Sequence, residues 1–149
     1  MNHLTKRISN RKTLPYVENV KITKKLNGEI VIDIEEREAT YMIKQEEKYA
    51  YIDNQGYILE ISTIPINGPI ITGVVSQNIT PGNRLEVKDL KKLDTLIEIR
   101  ESAKAQNIAE LITEVDISDD RNFILSIPSH KKTVEFGNGS DINIKILKL

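Results

Sequence analysis

Apolar and polar residues alternate along most of this 149-residue chain, and the period changes once. Over residues 17–26, Val20 and Ile22 alternate with Asn19, Lys21 and Thr23, the two-residue period of a half-buried strand. Residues 29–35 repeat it, with Ile30, Ile32 and Ile34 on one face and Glu29, Asp33 and Glu35 on the other. Asn27-Gly28 between them supplies the positive φ angles of a tight turn, so the two segments are expected to pair as an antiparallel hairpin. After Glu36-Arg37-Glu38 comes a meander of three short strands at residues 39–43, 49–53 and 57–61, turning through 45–48 and through Asn54-Gln55-Gly56. Ile70-Ile71 beside Gly73 reads as an extended segment crossing the edge of a sheet.

From residue 87 to about 106 the period becomes helical, with Leu90, Leu93, Leu96, Ile97 and Arg100 three and four positions apart. One helix on one sheet face is the natural packing. Strands are expected again at residues 110–117, 123–127 and 133–136, with Asp119-Asp120-Arg121-Asn122 as the turn between the first two. Over residues 141–149, Ile142, Ile144 and Ile146 alternate like a strand, although Ser140 or Asp141 would also cap a helix; periodicity alone favours strand.

Composition supports a sheet-rich fold. Isoleucine outnumbers leucine 24 to 12, and a β-branched side chain, already stiff at χ1, loses little in a pleated strand. The 21 basic and 22 acidic residues are interspersed and sum to −1, which gives no electrostatic case for a nucleic-acid backbone or an anionic membrane. Only the N-terminus is biased, with His3, Lys6, Arg7, Arg11 and Lys12 ahead of the first acid, Glu18. Without cysteine there is no disulfide framework, thiolate zinc site or cysteine nucleophile. Residues 1–13 hold no apolar leader segment. The 23 uncharged positions from 61 to 83 are long enough to cross a bilayer, but Pro65, Gly68, Pro69 and Pro81 break them into loop and extended pieces.

Candidate chemistry is sparse. His3 and His130 lack a third ligand at metal-binding spacing, and Ser126 or Ser129 beside His130 would point away from it on an extended chain. Glu35, Glu36, Glu38 and Asp53 contain the carboxylates a glycoside hydrolase would need, yet alternation turns Glu35 to solvent and Arg37 offers the others an ion pair. Gly137-Asn138-Gly139-Ser140 lacks the lysine of a phosphate loop and reads as a turn. Tyr16, Tyr41, Tyr49, Tyr51 and Tyr57 are read as exposed, with Tyr49 and Tyr51 on one face as a cross-strand cluster or, less favoured, an interface anchor. No residue is nominated as catalytic, cofactor-binding or metal-ligating, and no cofactor is expected.

Taken in order, several motifs resemble the extracytoplasmic part of the FtsQ/DivIB family of bacterial division proteins. They are Leu14-Pro15-Tyr16-Val17 with Val20-Lys21-Ile22, Ile30-Val31-Ile32 ending in Glu36-Arg37-Glu38, Tyr51-Ile52-Asp53 with Gly56-Tyr57-Ile58-Leu59, Ile64-Pro65 leading to Ile70-Ile71-Thr72-Gly73, and Val134-Glu135-Phe136-Gly137. The chain departs from the family pattern at Asn27-Gly28, where a proline is usual, and at Glu38-Ala39, where a proline usually follows the Glu-Arg pair.

The resemblance implies an α+β fold: residues 1–36 as the C-terminal part of a POTRA-like domain, and residues 37–149 as a mainly antiparallel β domain with one long helix, truncated at its C-terminus. Glu36-Arg37-Glu38 would be the hinge. It further implies that residues 141–149 open a helix, and on that ground the segment is assigned to helix against its periodicity. A single-pass membrane protein of the division septum is implied, its membrane helix outside this chain. Its implied role is a non-enzymatic scaffold for the coiled-coil proteins FtsL and FtsB/DivIC, with no contact residue transferable. A neighbouring strand left unpaired by truncation would favour self-association. The alternatives are a POTRA-like domain of a secretion apparatus and, behind it, an envelope hydrolase using Glu36 and Asp53.

Overall fold

The computed structural model describes residues 14–128, 130–136 and 142–147. A 3-10 turn at Leu14–Tyr16 leads into β1 (Val17–Lys24) and β2 (Ile30–Glu36), which form a two-stranded antiparallel sheet of their own. The register sets Val20 opposite Ile34 and Ile22 opposite Ile32, as the alternation predicts. The turn differs from the expected two-residue form. It closes through Lys25 N–H to Glu29 O (2.8 Å) and Gly28 N–H to Lys25 O (3.0 Å), and of Asn27 and Gly28 only the glycine has positive φ. A longer loop with one left-handed glycine relieves Asn27 of that conformation and lets its Oδ1 accept from Glu29 N–H at 3.1 Å.

The remaining strands build one eight-stranded sheet: β3 (Tyr41–Gln45), β4 (Lys48–Ile52), β5 (Ile58–Ser62), β6 (Ile70–Thr72), β7 (Glu114–Asp119), β8 (Asn122–Ile127), β9 (His130–Phe136) and β10 (Ile142–Leu147). Their spatial order is β10-β9-β8-β7-β6-β3-β4-β5. Thus β3-β4-β5 and β7-β8-β9-β10 are two antiparallel meanders, and β6 joins them by pairing parallel to both β3 and β7. The Ile70-Ile71 segment therefore lies inside the sheet, correcting its expected place at an edge. Parallel neighbours need a crossover, and α1 (Val87–Ala105) supplies it between β6 and β7.

The helix follows its predicted boundaries and buries Leu93, Leu96, Ile99 and Ala103 against Tyr41, Ile43, Ala50, Ile52, Ile71, Val115, Phe123 and Leu125. On the other sheet face, Met42, Tyr51 and Leu59 pack with Tyr16, Tyr49, Tyr57, Ile66 and Ile70 beneath the 3-10 turn and the loop after β5. The α+β class with a mainly antiparallel sheet is as expected. Residues 142–147 are a strand paired to β9 from Ile142 opposite Phe136 to Leu147 opposite Lys131. This corrects the helix implied by the resemblance: the Ile-x-Ile-x-Ile period matches a pleat and not a helical turn.

Candidate interaction sites

The best-formed polar cluster of the described chain sits where the small hairpin meets the large sheet. Asp53 ends β4's hairpin arm and opens the turn, and its carboxylate is almost fully buried. Asp53 Oδ1 accepts from the N–H groups of Gln55 (3.0 Å) and Tyr57 (2.8 Å), folding the turn around itself as an Asp at a turn start does. Its Oδ2 receives Arg37 Nη1 at 2.9 Å. Arg37 follows β2 directly, and its backbone N–H donates to Tyr16 O at 2.6 Å. The same Nη1 reaches Gln55 Oε1 (3.2 Å) and Glu18 Oε1 (3.9 Å), while the guanidinium stacks 3.6 Å over the Tyr57 ring. One side chain, 11% exposed, thereby ties β1, β2 and the β4-β5 turn together. The expected hinge at Glu36-Arg37-Glu38 is clamped at its centre.

This geometry disposes of Asp53 as a hydrolytic carboxylate, since both oxygens are engaged by turn amides and Arg37. Glu36 lies exposed at the end of β2. Ser126 lies on β8, where its carbonyl accepts Thr113 N–H at 2.9 Å, and His130 begins β9. His3, Ser129 and the Gly137-Asn138-Gly139-Ser140 turn lie outside the described residues. Among the described residues no group of three or more His, Asp or Glu side chains has metal-holding geometry, and no helix is long and apolar enough to cross a membrane.

The tyrosines are not exposed. Tyr41 is fully buried under α1, with Arg100 5.2 Å from its ring centroid, and burial raises its pKa. Tyr49 and Tyr51 share the opposite face, as alternation predicts, and Tyr51 Oη donates to Ile64 O. Tyr16 Oη donates to Glu60 Oε1 at 3.2 Å, and its pKa is pushed up to about 12 by burial first and by the Glu60 charge second. Both faces of the β3-β4-β5 meander are covered, which a strand-by-strand reading had no means to see.

A second buried carboxylate escaped the sequence reading. Asp89, in the first turn of α1, accepts from Val75 N–H (3.1 Å), Ser76 N–H (2.8 Å) and Ser76 Oγ, while Ser76 Oγ accepts Glu86 N–H at 2.7 Å. This pins the helix start to the loop after β6. An acid at the third helical position was the available signal.

Two surfaces stand out among the described residues. The outer edge of β10 has no neighbouring strand among the described residues, whereas β5, the opposite edge, has Ile58 N–H bound to Asn83 O (2.9 Å) and Ile58 O bound to Gly82 N–H (2.9 Å). The hairpin exposes Val20, Ile22, Leu26 and Ile30.

Residues 39–149 match the family model described as FtsQ/DivIB, C-terminal related. Among curated proteins, the chain is 34% identical over 137 residues to the cell division protein DivIB of Clostridium acetobutylicum, covering 89% of this chain and 52% of the relative. It is 29% identical over 142 residues to the DivIB of Clostridium botulinum strain Loch Maree, covering 93% and 54%. A shorter match to DivIB of Clostridium tetani reaches 48% over 46 residues, 31% of this chain and 17% of the relative. The chain spans about half the length of the relatives it matches from end to end. No solved structure gives a significant match.

Proposed function

The chain belongs to the FtsQ/DivIB family, and from that premise we propose that it is the extracytoplasmic part of a non-enzymatic scaffold of the bacterial division machinery. In this reading residues 1–36 close a POTRA-like unit and residues 37–149 form the β domain. Support comes from the family-model match beginning at residue 39 and from the separate two-stranded sheet that ends at Glu36. The full-length protein is held in the cell membrane by a single helix and acts at the septum. Its partners are FtsL and the FtsB/DivIC type of coiled-coil protein.

The observation that carries the scaffold role is that, among the described residues, the outer edge of β10 has no neighbouring strand, whereas at the opposite end of the sheet Ile58 of β5 is hydrogen-bonded to Gly82 and Asn83. A bare edge offers a row of backbone donors and acceptors, and a partner's extended segment adds there as a further strand. A pull-down of FtsL and DivIC by the full-length protein tests it, run beside two single proline substitutions, Ile144→Pro and Lys145→Pro. Neighbouring strand residues direct their N–H groups to opposite edges, so one substitution removes a donor from the outer edge and the other breaks the ladder to β9. Loss of partner with the fold intact is expected for the outward position. Retention of both partners by both variants sinks the edge-addition reading, and capture of neither partner by the unaltered protein sinks the scaffold assignment.

A further inference from the structure

The tip of the β1-β2 hairpin folds an amide side chain back along the backbone that follows it. Asparagine followed by glycine occurs at Asn27-Gly28 and again at Asn67-Gly68. In such a pair the glycine nitrogen can reach the asparagine Cγ, because the attacking residue has no Cβ to block the approach. The surroundings of the two pairs differ. Asn27 Oδ1 accepts Glu29 N–H at 3.1 Å, an Asx turn that holds the amide over Gly28 and draws electron density from Cγ. Asn67 cannot form this turn, since the residue two positions on is Pro69, which has no N–H.

Packing separates them further. Gly28 has a φ of +87° and nothing within 4 Å of the place a Cβ would occupy, so the turn is free to rotate. The same place on Gly68 lies 2.5 Å from Thr40 O, and Pro69 behind it is buried. Each glycine N–H makes one turn hydrogen bond, to Lys25 O at 3.0 Å and to Ile66 O at 3.1 Å. Freeing either nitrogen therefore costs a similar hydrogen bond, and the difference lies in the Asx turn and the open space at Gly28.

We propose that Asn27 is a self-modifying residue, converting spontaneously to aspartate and isoaspartate. The Gly28 nitrogen, deprotonated by hydroxide, attacks Asn27 Cγ. A bond from that nitrogen to Cγ closes a cyclic imide, the Cγ–Nδ2 bond breaks, and the nitrogen leaves as ammonia with a proton taken from water. Water then opens the imide. Cleavage of the new bond to Cγ gives an aspartate side chain, whereas cleavage of the original peptide bond leaves the chain running through Cγ as isoaspartate. Only water is consumed and nothing is oxidised or reduced. The isoaspartate form inserts a methylene into the main chain between Lys25 and Glu29, whose 2.8 Å backbone bond closes the hairpin. β1 and β2 then part from the tip, while the eight-stranded sheet, which has no strand pairing with them, is unaffected.

The test is a timed incubation of the 149-residue chain at mildly alkaline pH, folded in buffer and unfolded in urea, with aspartate and isoaspartate located by peptide mass spectrometry. In the folded chain Asn27 should convert about tenfold faster than Asn67, the ratio given by a barrier lower by about 1.4 kcal/mol. In urea the two should convert at similar rates, because the packing that distinguishes them is gone. Gly28→Ala should slow conversion at Asn27 in both states, since its methyl group crowds the attacking nitrogen, and should leave the rate at Asn67 unchanged. Equal rates at the two positions in the folded chain, faster conversion of Asn67, or an Asn27 that keeps its amide throughout overturns the proposal. So does a rate ratio that is the same folded and unfolded, which would trace the preference to local sequence and not to the turn.

Discussion

Tyr16 shows how a residue in an N-terminal turn reports on the sheet beneath it. Its phenol is held neutral by burial and by the charge of Glu60, so the folded state ionises near pH 12 while an unfolded tyrosine ionises near 10. Below pH 10 both states are protonated and the stabilisation is complete. As pH rises from about 10 towards 12 the unfolded state gains by ionising first, so stability falls across that window. Urea denaturation at a series of alkaline pH values should show this fall, and Tyr16→Phe should flatten it. Tyr41, also shifted upward, adds to the same slope in both proteins. At this scale the sequence was least informative. One strand shows only its own alternation, and whether the faces carrying Tyr41 and Tyr51 are covered depends on distant residues such as Leu96 for the first and Tyr16 for the second. Asp53, by contrast, stood at the head of a legible Asn-Gln-Gly turn, and its structural role follows from that position.

Elements were far more legible. The helix boundaries, the hairpin and the β3-β4-β5 meander follow from period alone, because each is closed by neighbours in the chain, whereas the strand expected at 110–117 starts only at Glu114, after a 3-10 turn at Ala109–Leu111. What the period cannot supply is the place of β6. A three-residue Ile-Ile-Thr run carries no information about which strands flank it, and its position depends on the α1 crossover. The terminal segment teaches the converse, since Ile142, Ile144 and Ile146 announced a strand that the family resemblance overrode. Gly73, directly after β6, marks how tightly this centre is built. Its φ is +81°, and a Cβ there would lie 2.5 Å from Ser118 N and 2.8 Å from Asp116 Oδ1. Gly73→Ala should cost roughly 2–4 kcal/mol, from left-handed backbone strain plus overpacking against β7. Chemical denaturation measures the loss, and Gly28→Ala, strained in φ but with open space around it, should cost less.

At the scale of the whole molecule the question is whether the β1-β2 hairpin moves against the large sheet. Arg37 makes it a single body by joining Tyr16 and Glu18 on one side to Asp53, Gln55 and Tyr57 on the other. Arg37→Ala leaves Asp53 buried without its cation and should destabilise the chain by about 3 kcal/mol. Arg37→Lys should recover only part, because an ammonium cannot reach two oxygens and stack on a ring together. Spin labels on Lys21 and Lys44 should give a narrow distance distribution in the unaltered chain and a broad one in Arg37→Ala. An equally broad distribution in both would show that the clamp is not what orients the hairpin.

The parallel seam at β6 also bears on how the chain comes to be made. Each meander is stitched from consecutive strands, so its loops close quickly, whereas β6 must find β3 and then wait for β7 to return from beyond α1, and closing such long loops is entropically slow. When the chain folds from its N-terminal side, the β3-β4-β5 meander closes while the flank of β3 is still bare. That flank is a ready template for another unfolded copy. Until Asp119 is in place, first β3 and then β6 presents an uncovered flank, and the uncharged stretches on either side of β6, at residues 63–69 and 73–83, are interrupted by Pro65, Pro69 and Pro81, which cannot donate to a ladder.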